Sequence, residues 1–534
     1  MQPGRIAAGV SSLAFIAVLI GGAFFGLIWE GLAAGFSAAA LPFDAYVLRT
    51  MRFTLWQAAL STLLSIIPAL LVARAFVRHP SFPGRQLILQ LFAVPLALPA
   101  IVAVLGLLAL YGRAGFISPF MSSTLGHQWP GIYGLSGILL AHVFFNMPMA
   151  TRLFLAALEN IPPHHWRLST QLGMGAVASF RFIEWPVLRS VLPGVAGLVF
   201  MLCVTSFTIV LTLGGGPRAT TLEVAIYQAL RFDFDPPRAV GLTVVQLGLT
   251  ALILWILTRL GMDLSGDAQL PTTTRRTLFP RWSERISNAG IITLAALFVG
   301  APMVAVVIGG LKADLLRLIS ETAVQSAAIL SLILASAAAL ITICLAFGLV
   351  MARRALELRR GRQPARLLEQ AMDGGAMMVL IIPPIVIGAG WFMLLRHTGE
   401  VFRLAPAMVV VVNAVMALPF AIRIMRPAYD AASSRHERLC ASLGILGFKR
   451  FRLIDWPVMR RPTLLAFAFA MALSLGDLGV IALFGSDQVQ TLPYLLLQRM
   501  GSYRTQDAAG LALLIGALCL ALLFISSGAR RIER

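Results

Sequence analysis

The sequence predicts an all-α polytopic membrane protein, with twelve transmembrane helices arranged as two parallel six-helix halves. Three observations carry this prediction. The first is composition: of 534 residues, 58% are hydrophobic and only 12% charged, with a mean hydropathy of +0.85. A soluble chain carries about 25% charged residues and cannot hide this much apolar surface in one core, so the surplus faces lipid. That excludes a soluble enzyme, a disordered chain and a disulfide scaffold. The second is the recurrence of apolar runs of spanning length, and the third is a self-similarity at a fixed offset.

A hydrocarbon core about 30 Å thick takes about 20 apolar residues as helix. That ruler gives twelve stretches, roughly 10–33, 54–77, 87–111, 132–151, 192–213, 239–260, 288–310, 323–352, 374–395, 405–422, 463–485 and 508–527. They are helices because lipid leaves no partner for backbone polar groups outside the segment. Charge tests the count. With both termini in the cytoplasm, 31 of the 43 Lys and Arg fall on the cytoplasmic side and 12 outside. The stretches 423–462, 353–370 and 259–287 carry nine, six and five, and no outer loop exceeds three. This bias also accounts for the net charge of +20 without a nucleic-acid partner. Residues 1–40 resemble a signal peptide, with Arg5, an apolar run and Ala38–Ala40, but the run is long and its removal would leave an odd number of helices.

Shifted by 271 residues, the chain matches itself. Gln171-Leu172-Gly173 falls on Ser442-Leu443-Gly444, and Phe180-Arg-Phe-Ile-Glu-Trp-Pro-Val187 on Phe451-Arg-Leu-Ile-Asp-Trp-Pro-Val458. Pro148, Arg152, Arg189 and Gly214 match Pro419, Arg423, Arg460 and Gly485, and with a one-residue slip Thr221-Leu222 and Gln228 match Thr491-Leu492 and Gln498. The chain therefore divides into a first half, 1–262, a cytoplasmic linker, 263–287, and a second half, 288–534. Six helices per half is an even number, so both halves insert in the same sense and are related by an axis along the membrane normal.

The strongest match lies in long cytoplasmic loops between the fourth and fifth helices of each half, about 152–190 and 423–462. Each reads as a short helix, a glycine stop and a second amphipathic segment. Asn160 can cap the first helix with Pro162-Pro163 near its start; Pro427 leads into the second. Gly173 and Gly444 suit the left-handed position after a helix, and thirteen residues separate them from Pro186 and Pro457. One reading is a hairpin that packs on the protein's own inner face. The other is a docking element, one short helix per half, for a two-fold cytoplasmic partner.

The L-G-x₁₂-P spacing resembles the EAA loop of type I ABC importer permeases. The runs Tyr133–Pro148, Ala157–Pro162, Leu213–Pro217, Ala225–Leu230, Leu475-Gly476-Asp477 and Gly501–Asp507 are similar, in order along nearly the whole chain, to the thiamine/thiamine pyrophosphate permeases of that class. The resemblance implies the type I permease fold and alternating access. It also implies a separate cytoplasmic ABC ATPase, in two copies, that seats the loops as coupling helices, and a periplasmic thiamine-binding protein that delivers cargo to the bacterial inner membrane. Coupling would fall to Arg167, Leu172, Gly173, Pro186, Arg438, Leu443, Gly444 and Pro457. The family's Glu six residues before the Gly is absent, because Arg167 and Arg438 hold those places.

The chain has only two lysines, Lys312 and Lys449, followed by Ala313 and Arg450, so it holds no Gly-Lys-Ser/Thr phosphate loop. It is expected to bind no cofactor and to leave ATP to its partner. Four cysteines without metal-ligand spacing predict neither a metal site nor a disulfide framework. Ionisable groups inside spans are costly, which singles out Asp477, with Ser474 beside it and Ser206 at the repeat-equivalent place, as a candidate translocation pathway. Asp477 reads either as a counter-charge for the thiazolium of the cargo or as a cap beside Gly476 and Gly479. His142 and Asn146 read as interhelical hydrogen-bonding groups, Gly214–Pro217 as an outer turn, and Arg231–Arg238, on the same side as Arg504, as an outer loop that either touches the binding protein or is an ordinary solvated loop. A fused ferric-iron permease is the rival within the class; a twelve-helix secondary transporter is the rival outside it. A membrane-embedded enzyme would need a cluster of acids, histidines or cysteines that the sequence does not supply.

Overall fold

The computed structural model describes residues 3–33, 44–216, 219–259, 282–360, 367–378, 382–445, 447–486 and 489–528. In the first half, α1 (Pro3–Ala33) and α2 (Ala45–Arg78) precede α3 (Arg85–Leu91), α4 (Ala100–Tyr111) and α5 (Ser118–Leu125). Then come α6 (Leu135–Glu159), the loop helices α7 (Pro163–Gln171) and α8 (Ala176–Ser179), and a π-helical turn (Phe180–Glu184) that runs into α9 (Trp185–Val204). The half ends with α10 (Thr208–Leu213), α11 (Leu222–Arg231) and α12 (Pro236–Arg259). The second half has α13 (Trp282–Leu311), α14 (Leu315–Ser320), α15 (Thr322–Arg360), α16 (Leu367–Met378), α17 (Pro384–Arg396) and α18 (Val401–Ser442). It closes with α19 (Gly447–Arg450), a second π turn (Phe451–Asp455), α20 (Trp456–Gly476), α21 (Gly479–Phe484), α22 (Leu492–Gly501) and α23 (Thr505–Gly528).

Among the described residues, ten helices are long and apolar enough to cross a membrane, and Ala100–Tyr111 and Pro384–Arg396 are shorter apolar helices. These two are the third spans of the halves, expected as continuous over 87–111 and 374–395. Each begins on an extended proline, Pro99 (φ −55°, ψ 137°) or Pro383 (φ −58°, ψ 143°), which supplies no N–H and cannot continue a helix from before. The fifth spans break too, at Thr205–Phe207 and at Asp477-Leu478. Most of the expected linker, residues 263–281 of 263–287, lies outside the described residues, and α13 already begins at Trp282.

The halves interlock rather than sit side by side. Helix α1 packs on α15 and α17 of the second half, and α13 packs on α2 and α4 of the first. Glycine permits the approach: a Cβ on Gly390 of α17 would meet the Ala23 carbonyl oxygen at 2.1 Å, and one on Gly106 of α4 would meet the Pro302 oxygen at 2.4 Å. In lipid, where apolar burial does not drive association, such close backbone packing does.

Two short helices, α11 and α22, replace what reads in sequence as outer connection. Both are largely buried and begin after extended threonines, Thr221 and Thr491. The orphan N–H of Leu222 donates to Thr54 Oγ1 (3.1 Å), and that of Leu492 to Ser331 Oγ (2.8 Å), the same solution in each half. Arg231, expected in an outer loop, donates to the Gly485 carbonyl (2.9 Å) and Tyr494 Oη (3.3 Å), tying the halves together. Gly215 (φ +69°) and Gly216 (φ +131°) make the expected outer turn; Pro217 lies outside the described residues.

Candidate functional site: paired loops and an inter-half cavity

Each loop is built the same way from its repeat residues. Helix α7 ends at Gln171 with Leu172 as its C-cap, and Gly173 then takes φ +61°; Met174 N–H reaches back to the Ser169 carbonyl at 3.0 Å. In the second half Gly444 takes φ +62° and Ile445 N–H reaches the Cys440 carbonyl at 2.9 Å. This is the six-to-one closure in which only glycine carries no Cβ penalty. Gly173→Ala with Gly444→Ala is expected to cost about 1 kcal/mol or more per site. Uptake should fall several-fold, while the Asn pair, tolerant of the left-handed region, retains more; transport rates at equal membrane expression check this.

After the glycine, the repeat motif forms the π turn. Trp185 N–H donates to the Phe180 carbonyl and Trp456 N–H to that of Phe451, one residue further back than in an α-helix. Pro186 and Pro457 follow; each lacks an N–H and would clash with the carbonyl four residues earlier, and the widened turn accommodates both effects. The motif acid is buried. Glu184 pairs with Arg74 (2.7 Å) and Arg78 (2.9 Å) of α2, and both arginines also donate to the Ala176 carbonyl at 3.0 Å. Asp455 is held by Arg5 of α1 (2.8 Å), with Arg450 at 3.6 Å. Because α1 belongs to the first half, the second loop is anchored across the interlock.

Two details of the loops differ from expectation. Asn160 does not cap α7; it closes α6, and Pro162 and Pro163 occupy the N-cap and first turn of α7. Pro427 does not open a separate helix, since α18 runs unbroken to Ser442. The double proline that breaks the first copy falls on Ser433-Ser434 in the second, and nothing there stops the helix.

The outer faces of the loops are apolar and exposed. Leu172 is 67% exposed and Leu443 62%. Leu168 and Leu439, one helical turn earlier, are both 53% exposed. Arg167, Pro186 and Pro457 are exposed as well; the side chain of Arg438 lies outside the described residues. Leu168 and Leu439 share the 271-residue offset, and the repeat could have identified them.

Asp477 and Ser474 line a cavity of about 300 Å³ between the halves, with Asn413 Nδ2 donating to Ser474 Oγ at 3.0 Å. The first half contributes the broken turn Leu96–Ala100 and Thr208. Asp477 also accepts from Gly479 N–H (3.2 Å) and Val480 N–H (3.3 Å), capping α21. Ser206 sits in the matching break of the first half and is not among the cavity's lining. His142 and Asn146 bond between helices, to Ser61 (2.8 Å) and to Cys203 Sγ (3.3 Å).

A pair of exposed, repeat-related loops joined to a helical bundle with a cavity between its halves suits a transport subunit, and comparison with known proteins specifies the class. Residues 345–532 match the family model described as binding-protein-dependent transport system inner membrane component. The chain is 59% identical over 523 residues to the thiamine transport system permease protein ThiP of Brucella abortus (strain 2308), covering 98% of this chain and 95% of that protein. It is 42% identical to ThiP of Escherichia coli (strain K12), over 97% of this chain and 96% of that protein. FbpB 1 of Haemophilus influenzae, named for ferric transport, is 26% identical over 44% of this chain. The class is therefore the multi-pass inner-membrane permease of a binding-protein-dependent transport system. Within it, the chain belongs to the family of thiamine transport system permease proteins.

Proposed function

We propose that the chain is the membrane subunit of an ATP-driven importer that carries thiamine, free or as its pyrophosphate, through the inner membrane by alternating access. The observation that carries the coupling half of this reading is the pair of equivalent loops, each ending in a glycine-stopped helix with two exposed leucines one turn apart. Two equal apolar knobs on a pseudo-two-fold fit two copies of one cytoplasmic ABC ATPase, which binds the ATP that this chain has no loop to hold. Residues 167–173 and 438–444 are the coupling elements. Their motion passes through the π turns and Pro186 and Pro457 into α9 and α20, and the end of α20 lines the cavity. A periplasmic binding protein supplies cargo from the other face, and both termini lie in the cytoplasm, in keeping with the arginine distribution. Thiamine as cargo rests on the near full-length relatives named for it.

The test is uptake of radiolabelled thiamine in a deletion strain complemented with this chain. Uptake is expected to persist when the proton gradient is collapsed and to stop when ATP is depleted. Accumulation of ferric iron in place of thiamine, or uptake that follows the proton gradient, overturns the reading. A C-terminal reporter active only outside the cytoplasm is expected to stay silent.

A further inference from the structure

We propose that the cavity between the halves is a specific binding site for an aromatic organic cation, with Asp477 as its counter-charge, rather than a featureless passage; this rests on the permease reading above. Its volume, about 300 Å³, is at the small end of ligand pockets, which run from about 300 to 1,000 Å³. It suits a molecule of one or two small rings.

Charge is the second argument. A carboxylate held inside a transmembrane bundle is expensive unless compensated, and such groups mark substrate or ion pathways. Among the described residues no ion pair reaches Asp477; its partners are the two backbone N–H groups of α21, at 3.2 and 3.3 Å. Each carboxylate oxygen keeps acceptor capacity beyond these bonds. A quaternary ring nitrogen has no proton to donate, so such a cation is recognised by a nearby negative charge and by contact with π faces, not by hydrogen bonds to its charged atom. The cavity brings an aromatic side chain and a carboxylate together, since Phe420 lines it along with Asp477. Asn413 and Ser474, bonded to each other at 3.0 Å, present polar atoms for the hydrogen-bonding groups of a second, neutral ring.

Asymmetry is the third. The repeat places Ser206, Cys203 and His142 where the second half has Asp477, Ser474 and Asn413. None of these first-half counterparts lines the cavity. Two-fold symmetry serves the motor side; one carboxylate on one side serves a guest whose charge is at one end.

The experiment uses proteoliposomes holding the permease with its ATPase and binding protein, with radiolabelled thiamine as the probe. Gly479 N–H and Val480 N–H go to different oxygens of Asp477, and Asp477→Asn keeps one of the two acceptors, so the charge is removed and the cap is weakened by one bond. Expected is a fall in thiamine uptake of about tenfold or more. Adding Ser474→Asp to that variant returns a charge to the same cavity and is expected to restore a substantial part of uptake, which a purely structural cap would not allow. If the wild type carries thiamine and Asp477→Asn carries it with equal rate and apparent affinity, the site falls and the permease reading stands. If uptake is lost and Ser474→Asp restores none of it, Asp477 is a helix cap and the proposal is wrong. If the wild type carries no thiamine, both readings fall.

Discussion

Leu172→Asp combined with Leu443→Asp is expected to reduce ATP-driven uptake about 100-fold while membrane yield and thermal stability stay near those of the wild type. Both side chains are mostly exposed, at 67% and 62%, so little intramolecular packing is lost; surface changes of this kind usually shift stability by less than about 0.5 kcal/mol. The same exposure makes them the natural anchors of a partner. Apolar side chains seated at the centre of an interface cost about 2 kcal/mol or more when lost, and a charge in that pocket adds a desolvation penalty. Two such sites exceed the roughly 2.7 kcal/mol that a hundredfold loss requires. Because the loops are equivalent, each single variant should weaken capture of the ATPase less than the pair does. Co-purification of the ATPase with the double variant, together with uptake, checks the prediction. Undiminished capture by a folded double variant would mean that the docking surface lies elsewhere.

Much of this architecture was legible in the residues, for physical reasons that differ from element to element. Lipid forbids unsatisfied backbone, so apolar length alone gave the spans, and the arginine bias fixed their alternation. Gly173 and Gly444 were readable as left-handed stops because few other residues enter that region cheaply. The breaks in the third spans were also written in the chain, as Pro95, Pro99, Pro383 and Pro384, but hydropathy averages over them. The interlock of α1 and α13 was not legible. A helix in lipid is apolar all round, and nothing in its periodicity says which half it leans on; the cue was the small residue facing each one, Gly390 and Gly106. Helices α11 and α22 were hidden for a related reason. The match of Thr221-Leu222 with Thr491-Leu492 was visible, but the hydroxyls that accept their first N–H groups come from Thr54 and Ser331, more than 160 residues away. At the cavity, sequence singled out Asp477 and Ser474, while Asn413, which bonds Ser474, carried no signal beyond being polar in a span.

Glu184→Ala is expected to be the most destabilising change in the loops, and to be worse than Asp455→Ala. Glu184 is fully buried and receives two arginines, at 2.7 and 2.9 Å, whose remaining N–H groups hold the Ala176 carbonyl at the start of α8. Removing the acid takes the shared counter-charge from Arg74 and Arg78 and leaves Arg78 its longer contact with Glu284, at 3.6 Å. Breaking a buried pair from one side costs about 3–5 kcal/mol, because the remaining charge is stranded; Arg74 keeps some contact with water, which places the cost at the lower end. Asp455 has one close partner, Arg5 at 2.8 Å, with Arg450 further away at 3.6 Å. Its loss strands less charge and loosens the contact of α1 with the second loop. A melting series of the purified permease should show Glu184→Ala lower by about 5 °C or more, Asp455→Ala by less, and Glu184→Gln between Glu184→Ala and wild type. Replacing Glu184, Arg74 and Arg78 together by Leu, Met and Met removes the buried charges of the cluster, leaves only the partly exposed Glu284 without its Arg78 contact, and should recover most of the stability. Uptake need not recover with it, because the guanidinium bonds that fix Ala176 are gone and the loop's angle to α9 is no longer set. Stability restored with full transport would show that the arginines serve folding alone; stability unchanged by Glu184→Ala would show that the buried pair anchors nothing.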